Sequence, residues 1–94
     1  YFILHQANKF ILQNIALQTD IPADKMPYET ISKYGNQTCA SIPSAICDTI
    51  KDEISTKPLK LLLSGFGIGL SWVSAVVETD KIYCSDIITY EEIK

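Results

Sequence analysis

Between Leu61 and Val77 the chain carries no charged residue, yet Gly65, Gly67, Gly69 and three serines interrupt the run. This pattern restricts the fold more than any other feature. A membrane-spanning helix needs roughly 20 consecutive apolar residues. The run falls just short of that and is broken by glycine, so no membrane span is expected. Two strands joined by a glycine turn accommodate the same residues. Leu59 to Ser64 and Trp72 to Thr79 then form the strands, and Gly67-Ile68-Gly69 lies in the connection.

The segments before this hairpin supply partners for it. Tyr1 to Leu4 is a short apolar run that reads as a buried strand. Ala7 to Gln18 follows as a helix, with Ala7, Phe10, Ile11, Leu12, Ile15 and Ala16 at three- and four-residue spacings. Thr19-Asp20-Ile21-Pro22 ends it, because proline cannot continue a helix. Ile21 to Pro27 is a loop. Tyr28 to Tyr34, with β-branched Thr30 and Ile31, is expected as a short strand, and Gly35-Asn36 as a turn. Ser41 to Ile54 carries the clearest helical stripe: Ile42, Ala45, Ile46, Thr49, Ile50 and Ile54. Pro43 fits its first turn, and Cys47 lies near the stripe as a packing residue. Ser55 to Pro58 is a polar connector, Ile82 to Thr89 a possible further strand, and Glu91 to Lys94 a polar end. The order β-α-β-α-β-β, with Ile82 to Thr89 as a further strand, predicts a layered α/β sheet.

Ninety-four residues, 47% of them apolar, suit one small domain or a piece of a larger one. The chain opens in mid-strand without Met or a signal-like segment, which reads as a piece cut from a longer protein. Its net charge is −3 and all eight basic residues are lysines. An acidic chain without a basic stripe argues against a nucleic-acid partner. Cys39, Cys47 and Cys84 are odd in number and widely spaced, with no CxxC pair. With only one histidine, a zinc site lacks ligands, so no metal is expected. Free thiols in a reducing, cytoplasmic setting are the simplest reading.

Three features bear on chemistry, and each has an ordinary reading too. His5 sits where the first strand gives way to a helix. It is either a satisfied polar residue at a strand end or an imidazole that donates to a substrate oxygen. Asn36 follows Gly35 and is either a turn residue or a neutral amide donor aimed at a developing negative charge. Gly67-Ile68-Gly69 is too short for a dinucleotide fingerprint. It is either a tight hairpin or a loop whose backbone N–H groups help form an oxyanion hole. Phe66 and Trp72 are expected in the core, and Asn8 and Lys9 on a solvated face. No GxSxG and no recognisable cysteine nucleophile motif accompanies these residues.

Taken together, His5-Gln6-Ala7-Asn8, then Lys33-Tyr34-Gly35-Asn36 with Ala40-Ser41-Ile42-Pro43, then the segment from Gly65 to Trp72, resemble the C-terminal part of the β-ketoacyl-[acyl-carrier-protein] synthase III family. The resemblance runs roughly to Glu78. It implies a thiolase fold built from two similar halves, with residues 1–94 forming most of the C-terminal one, a layered α/β/α unit with a mixed sheet of the five-stranded type. It implies decarboxylative Claisen condensation of an acyl-CoA starter with malonyl-acyl carrier protein, without a cofactor, to initiate fatty-acid synthesis. By this resemblance His5 and Asn36 match the catalytic His and Asn. Ile68, within Gly67-Ile68-Gly69, would lend its N–H to an oxyanion hole, and Gln6, Ala7, Asn8, Lys9 and Phe10 match the carrier-protein-binding stretch. Relatives often carry arginine where Phe10 stands, and Lys9 beside it is a less oriented point charge. The family's nucleophilic cysteine has no counterpart in these residues, so this chain by itself is expected to be inactive. The resemblance also implies that the whole protein is a homodimer that works with acyl carrier protein. Two other readings stay open: a thiolase-fold acyltransferase of secondary or cell-surface metabolism, and a non-catalytic binding or assembly module.

Overall fold

The computed structural model describes residues 1–69 and 71–88, with the backbone alone for Ala23. Strand β1 (Phe2–Leu4) leads into helix α1 (Lys9–Thr19). A short helix α2 (Thr30–Tyr34) follows, then α3 (Ser41–Thr49), α4 (Lys51–Thr56), and the strands β2 (Pro58–Gly67) and β3 (Ser71–Asp80). Single 3-10 turns at Ala23–Lys25 and Thr38–Ala40 complete the connections.

The sheet order is β1-β2-β3. β1 runs parallel to β2 with Phe2 opposite Leu62 and Leu4 opposite Ser64. β2 and β3 form the hairpin expected from the glycine-interrupted run, from Pro58 opposite Asp80 to Gly67 opposite Ser71. Side chains alternate across a strand, and the two faces bury different residues. On one face Ile3 and Leu61, with Leu59, Leu63 and Val77 around them, pack on Ala45, Ile50 and Ile54 of the α3–α4 side. On the other, Leu4 joins Leu12 of α1 and Met26, flanked by Phe2 and Phe66. Each of these buried aliphatic side chains contributes roughly 1.5–3 kcal/mol relative to exposure. At the outer end of the first core the Tyr1 hydroxyl donates to the Glu53 carboxylate at 2.5 Å. That bond, with burial second, pushes the Tyr1 phenol up to about 12.

The layered, mixed α/β architecture is present, but several expectations need correction. The sheet has three strands among the described residues, not the five-stranded type. Tyr28 to Tyr34 holds a helix instead of a strand, because Thr30 is fully buried and its hydroxyl bonds Asp48 of α3 at 2.9 Å. The helix expected over Ser41–Ile54 is two helices that meet at Ile50, whose φ of −121° and ψ of 18° leave helical geometry. The strand expected over Ile82–Thr89 is absent through residue 88, and Thr89 itself and the polar end Glu91–Lys94 lie outside the described residues. β2 already has a neighbour on each side, and the segment after Lys81 turns back instead. There Cys84 packs against the α3–α4 core and Asp86 pairs with Lys51 at 2.6 Å. Helix α1 starts at Lys9, two residues later than its apolar spacing suggests, because the Asn8 side chain caps it by accepting the Ile11 N–H at 2.8 Å. Such a cap contributes about 1 kcal/mol.

Candidate functional site

β1 and β2 are parallel, so their carboxyl ends lie side by side, the usual location of functional groups in open α/β sheets. His5 is the first residue beyond β1. Its backbone N–H donates to the Ser64 carbonyl at 2.8 Å and extends the parallel ladder by one step. Its ring meets Phe66 edge-on, with centroids 5.3 Å apart and planes at 86°. Both contacts tie the imidazole to β2, so its position is set by the sheet.

Asn36 arrives from the other side of the sheet's carboxyl end. α2 stops at Gly35, whose φ of 72° lies in the left-handed region that glycine tolerates. The Thr38 N–H then donates to Asn36 Oδ1 at 2.9 Å, a local Asx-type closure. Gln37 N–H donates to the Oγ of fully buried Ser41 at 3.0 Å, which holds this turn against the start of α3. Below it, Asp48 accepts from Thr30 at 2.9 Å and from the Lys33 ammonium at 3.1 Å, fastening α2 to α3. The amide therefore sits on a loop clamped at both ends.

These groups share one open cleft of about 550 Å³, lined by His5, Asn36, Ile42, Phe66 and Ile68 among others. None of its described lining residues carries a carboxylate or an ammonium group. A negative charge developing there would meet N–H donors and a partly apolar wall, where such donors act most strongly. Gly67 and Ile68 line the cleft. Gly69 does not; its φ of 84° turns the chain toward β3. Leu70 lies outside the described residues.

The remaining expected site residues divide by burial. Gln6 is buried and its Nε2 donates to the Leu4 carbonyl at 2.9 Å, so it shapes the strand-to-helix junction. Ala7 is half-buried, and Asn8 is committed to the α1 cap. Lys9 and Phe10 are exposed, Lys9 within 3.8 Å of the Glu29 carboxylate and 5.5 Å from the centre of the Tyr28 ring. Trp72 was expected in the core and is instead 76% exposed, because β3 is an edge strand and α1 covers only the β1 side of that face. Thr38 and Cys39 also line the cleft and were not expected as site residues from sequence; Ile42, expected on the stripe of the second long helix, lines it too. Their nearness to Asn36 was the available signal. Among the described residues no group of three or more His, Cys, Asp or Glu is placed to hold a metal ion. No helix among them is long and apolar enough to cross a membrane.

Comparison with known proteins gives a consistent set of relatives. Residues 1–79 match the family described as 3-oxoacyl-[acyl-carrier-protein (ACP)] synthase III C terminal. The β-ketoacyl-[acyl-carrier-protein] synthase III of Streptococcus pyogenes serotype M49 is 44% identical over 80 residues, covering 83% of this chain and 24% of that protein. The enzyme of the same name from serotype M3 gives the same figures. A crystal structure of a 3-oxoacyl-(acyl-carrier protein) synthase from Burkholderia xenovorans LB400 superposes with a TM-score of 0.84 at 40% identity, over 90% of this chain and 24% of that one. The chain thus spans about a quarter of the length of the relatives it matches.

Proposed function

This chain belongs to the 3-oxoacyl-[acyl-carrier-protein] synthase III family, with its thiolase-like fold, and from that premise we propose that it forms the part of a condensing enzyme that stabilises the malonyl-derived enolate. The reaction is the joining of an acyl-CoA starter to malonyl-acyl carrier protein in fatty-acid synthesis. The starter is first carried as a thioester on a cysteine that lies outside these residues. Loss of CO₂ from the malonyl thioester leaves an electron pair shared between its α-carbon and its thioester oxygen. That carbon attacks the acyl-cysteine carbonyl, and the cysteine sulfur departs as thiolate.

The observation that carries this reading is the placement of His5 and Asn36 on one cleft whose described lining holds no carboxylate or ammonium group, beside the turn that includes Ile68. In this mechanism the imidazole N–H and the Asn36 Nδ2–H donate to the enolate oxygen. The Ile68 N–H donates to the tetrahedral oxyanion formed at the acyl-cysteine. Any residue but proline can supply that N–H, so isoleucine serves as well as glycine. The carrier protein is assigned to the exposed Lys9 and Phe10 at the start of α1, while buried Gln6 sets the angle of that helix. No cofactor takes part, and the 94 residues alone do not condense substrates because the acyl-accepting cysteine lies elsewhere.

The test is His5→Ala in the intact protein. Losing one preorganised donor costs roughly 3 kcal/mol, so malonyl decarboxylation should fall by about two orders of magnitude. Acyl transfer from acyl-CoA to the cysteine should largely survive. Decarboxylation at the unmodified rate would overturn the assignment.

A further inference from the structure

Residues 81–88 lie past the family match, which ends at residue 79. They return to helices that the match includes. Cys84 Sγ lies 3.6 Å from Cys47 Sγ on α3 and packs against the core containing Ile3, Ala45, Ile50 and Ile54. Two residues further on, Asp86 pairs with Lys51 at 2.6 Å. The segment is thus held to α3 by a sulfur pair and to α4 by an ion pair. All three cysteines are free thiols. Cys47 also lines an open polar cleft in which, among the described residues, Asp48, Asp52, Glu53 and Asp86 outnumber the single cation, Lys51, and the cleft gives a small reagent a route to it. The acidic surroundings favour a cationic reagent over an anionic one.

We propose that Cys47 and Cys84 form a reversible disulfide that locks residues 81–88 onto α3, with a cationic low-molecular-weight disulfide as the oxidant. A disulfide requires about 2.05 Å between the sulfurs, so the present separation calls for side-chain rotation of two unbranched residues. Cys47 as thiolate attacks one sulfur of the reagent, and the other half leaves as a thiol. Cys84 then attacks Cys47 Sγ, and the second half leaves. The two thiol protons end on the two released thiols; the cysteine pair is oxidised by two electrons and the reagent is reduced by two. Burial, and the Cys47 sulfur beside it, push the Cys84 thiol up. The open cleft is lined by Cys47, so Cys47 reacts first and Cys84 closes the bond. Through Asp48, the neighbour of Cys47, the same helix holds α2, which leads into the turn that carries Asn36.

The test treats the intact protein with cystamine, blocks remaining thiols by alkylation, and maps tryptic peptides. The expected product joins peptide 34–51 to peptide 82–94 with the loss of two hydrogens, and fragmentation places the bond at Cys47 and Cys84. It persists in Cys39→Ser and disappears in Cys47→Ala and in Cys84→Ser. The unmodified protein alone decides the matter should a variant fail to fold. Native trypsin cleavage after Lys81 should slow by roughly tenfold on oxidation, as a closed cross-link restrains the segment. Exposed Cys39 reports that the reagent has acted. Modification of Cys39 with the pair still reduced would overturn the proposal. So would a cysteamine adduct on Cys47 that never transfers to Cys84, or a bond made through Cys39.

Discussion

The Oδ1 of Asn36 accepts the Thr38 N–H at 2.9 Å, so the acceptor end of this amide is occupied by backbone and its donor end is what remains for a ligand. Turn residue and chemical group are the same side chain here, and the two roles separate on substitution. Asn36→Asp keeps an oxygen for Thr38 and should leave stability within about 0.5 kcal/mol. The same change replaces the donor with a negative oxygen at the point where the proposed mechanism develops negative charge. Decarboxylation in the intact protein should fall further than in Asn36→Ala, since like charge adds to the lost donor. A decarboxylation rate for Asn36→Asp equal to the unmodified one would remove Asn36 from the proposed mechanism. Sequence alone placed both alternatives for Asn36 and for His5 on the page, because a strand end and a Gly-Asn turn are recognisable locally. It did not distinguish Gln6 from its neighbours. Burial of a polar side chain depends on contacts such as the one Gln6 makes to the Pro27 carbonyl, remote in sequence. Thr38 and Cys39 enter the cleft because the 3-10 turn Thr38–Ala40 folds them beside Asn36, and Ile42 enters it from the first turn of α3.

Elements with strong periodicity were legible: β1, α1 and the β2–β3 hairpin fall close to where apolar spacing and glycine placed them. α2 was not, because Thr30 and Ile31 carry a strand preference that a contact from outside the segment overrides. That contact is Asp48. Its side chain is nearly buried and joins the Thr30 hydroxyl to the Lys33 ammonium. Asp48→Ala would leave the buried Thr30 hydroxyl without an acceptor, a loss of about 2 kcal/mol. Asp48→Asn keeps an acceptor for Thr30 and gives up only the attraction to Lys33, whose side chain is half exposed, so it should cost under about 1 kcal/mol. Urea unfolding of the two variants measures the difference. Equal losses would show that the ion pair, and not the buried hydrogen bond, fastens α2. The α3–α4 break escaped the sequence reading for another reason. Ile50 still donates to Ile46 and accepts from Ile54, so the apolar stripe runs unbroken through the bend.

At the scale of the molecule, the two sheet faces are unequally covered. α3 and α4 shelter one face out to Val77. On the other, the register places Trp72 and Val76 beside Phe66 and Leu62, yet Trp72 stays 76% and Val76 66% exposed. Val73, on the α3–α4 side of β3, is 72% exposed as well. Among the described residues no strand pairs with the outer edge of β3. An apolar edge strand with unpaired N–H and C=O groups is a template for another chain. This chain spans 24% of the length of its relatives, and the open face of β3 is where further protein would find apolar surface to cover. The 94-residue chain on its own should therefore self-associate from roughly micromolar concentration upward. Sedimentation velocity would show a mass rising with concentration. Trp72→Lys with Val76→Lys adds charge to that surface without touching the buried residues of either core. The doubly substituted chain should sediment as a monomer across the same range. An unmodified chain that stays monomeric throughout would mean that β3 is protected without a partner. Association undiminished by the two lysines would move the contact to another surface, of which exposed Phe10 and Leu17 on α1 are the nearest in kind.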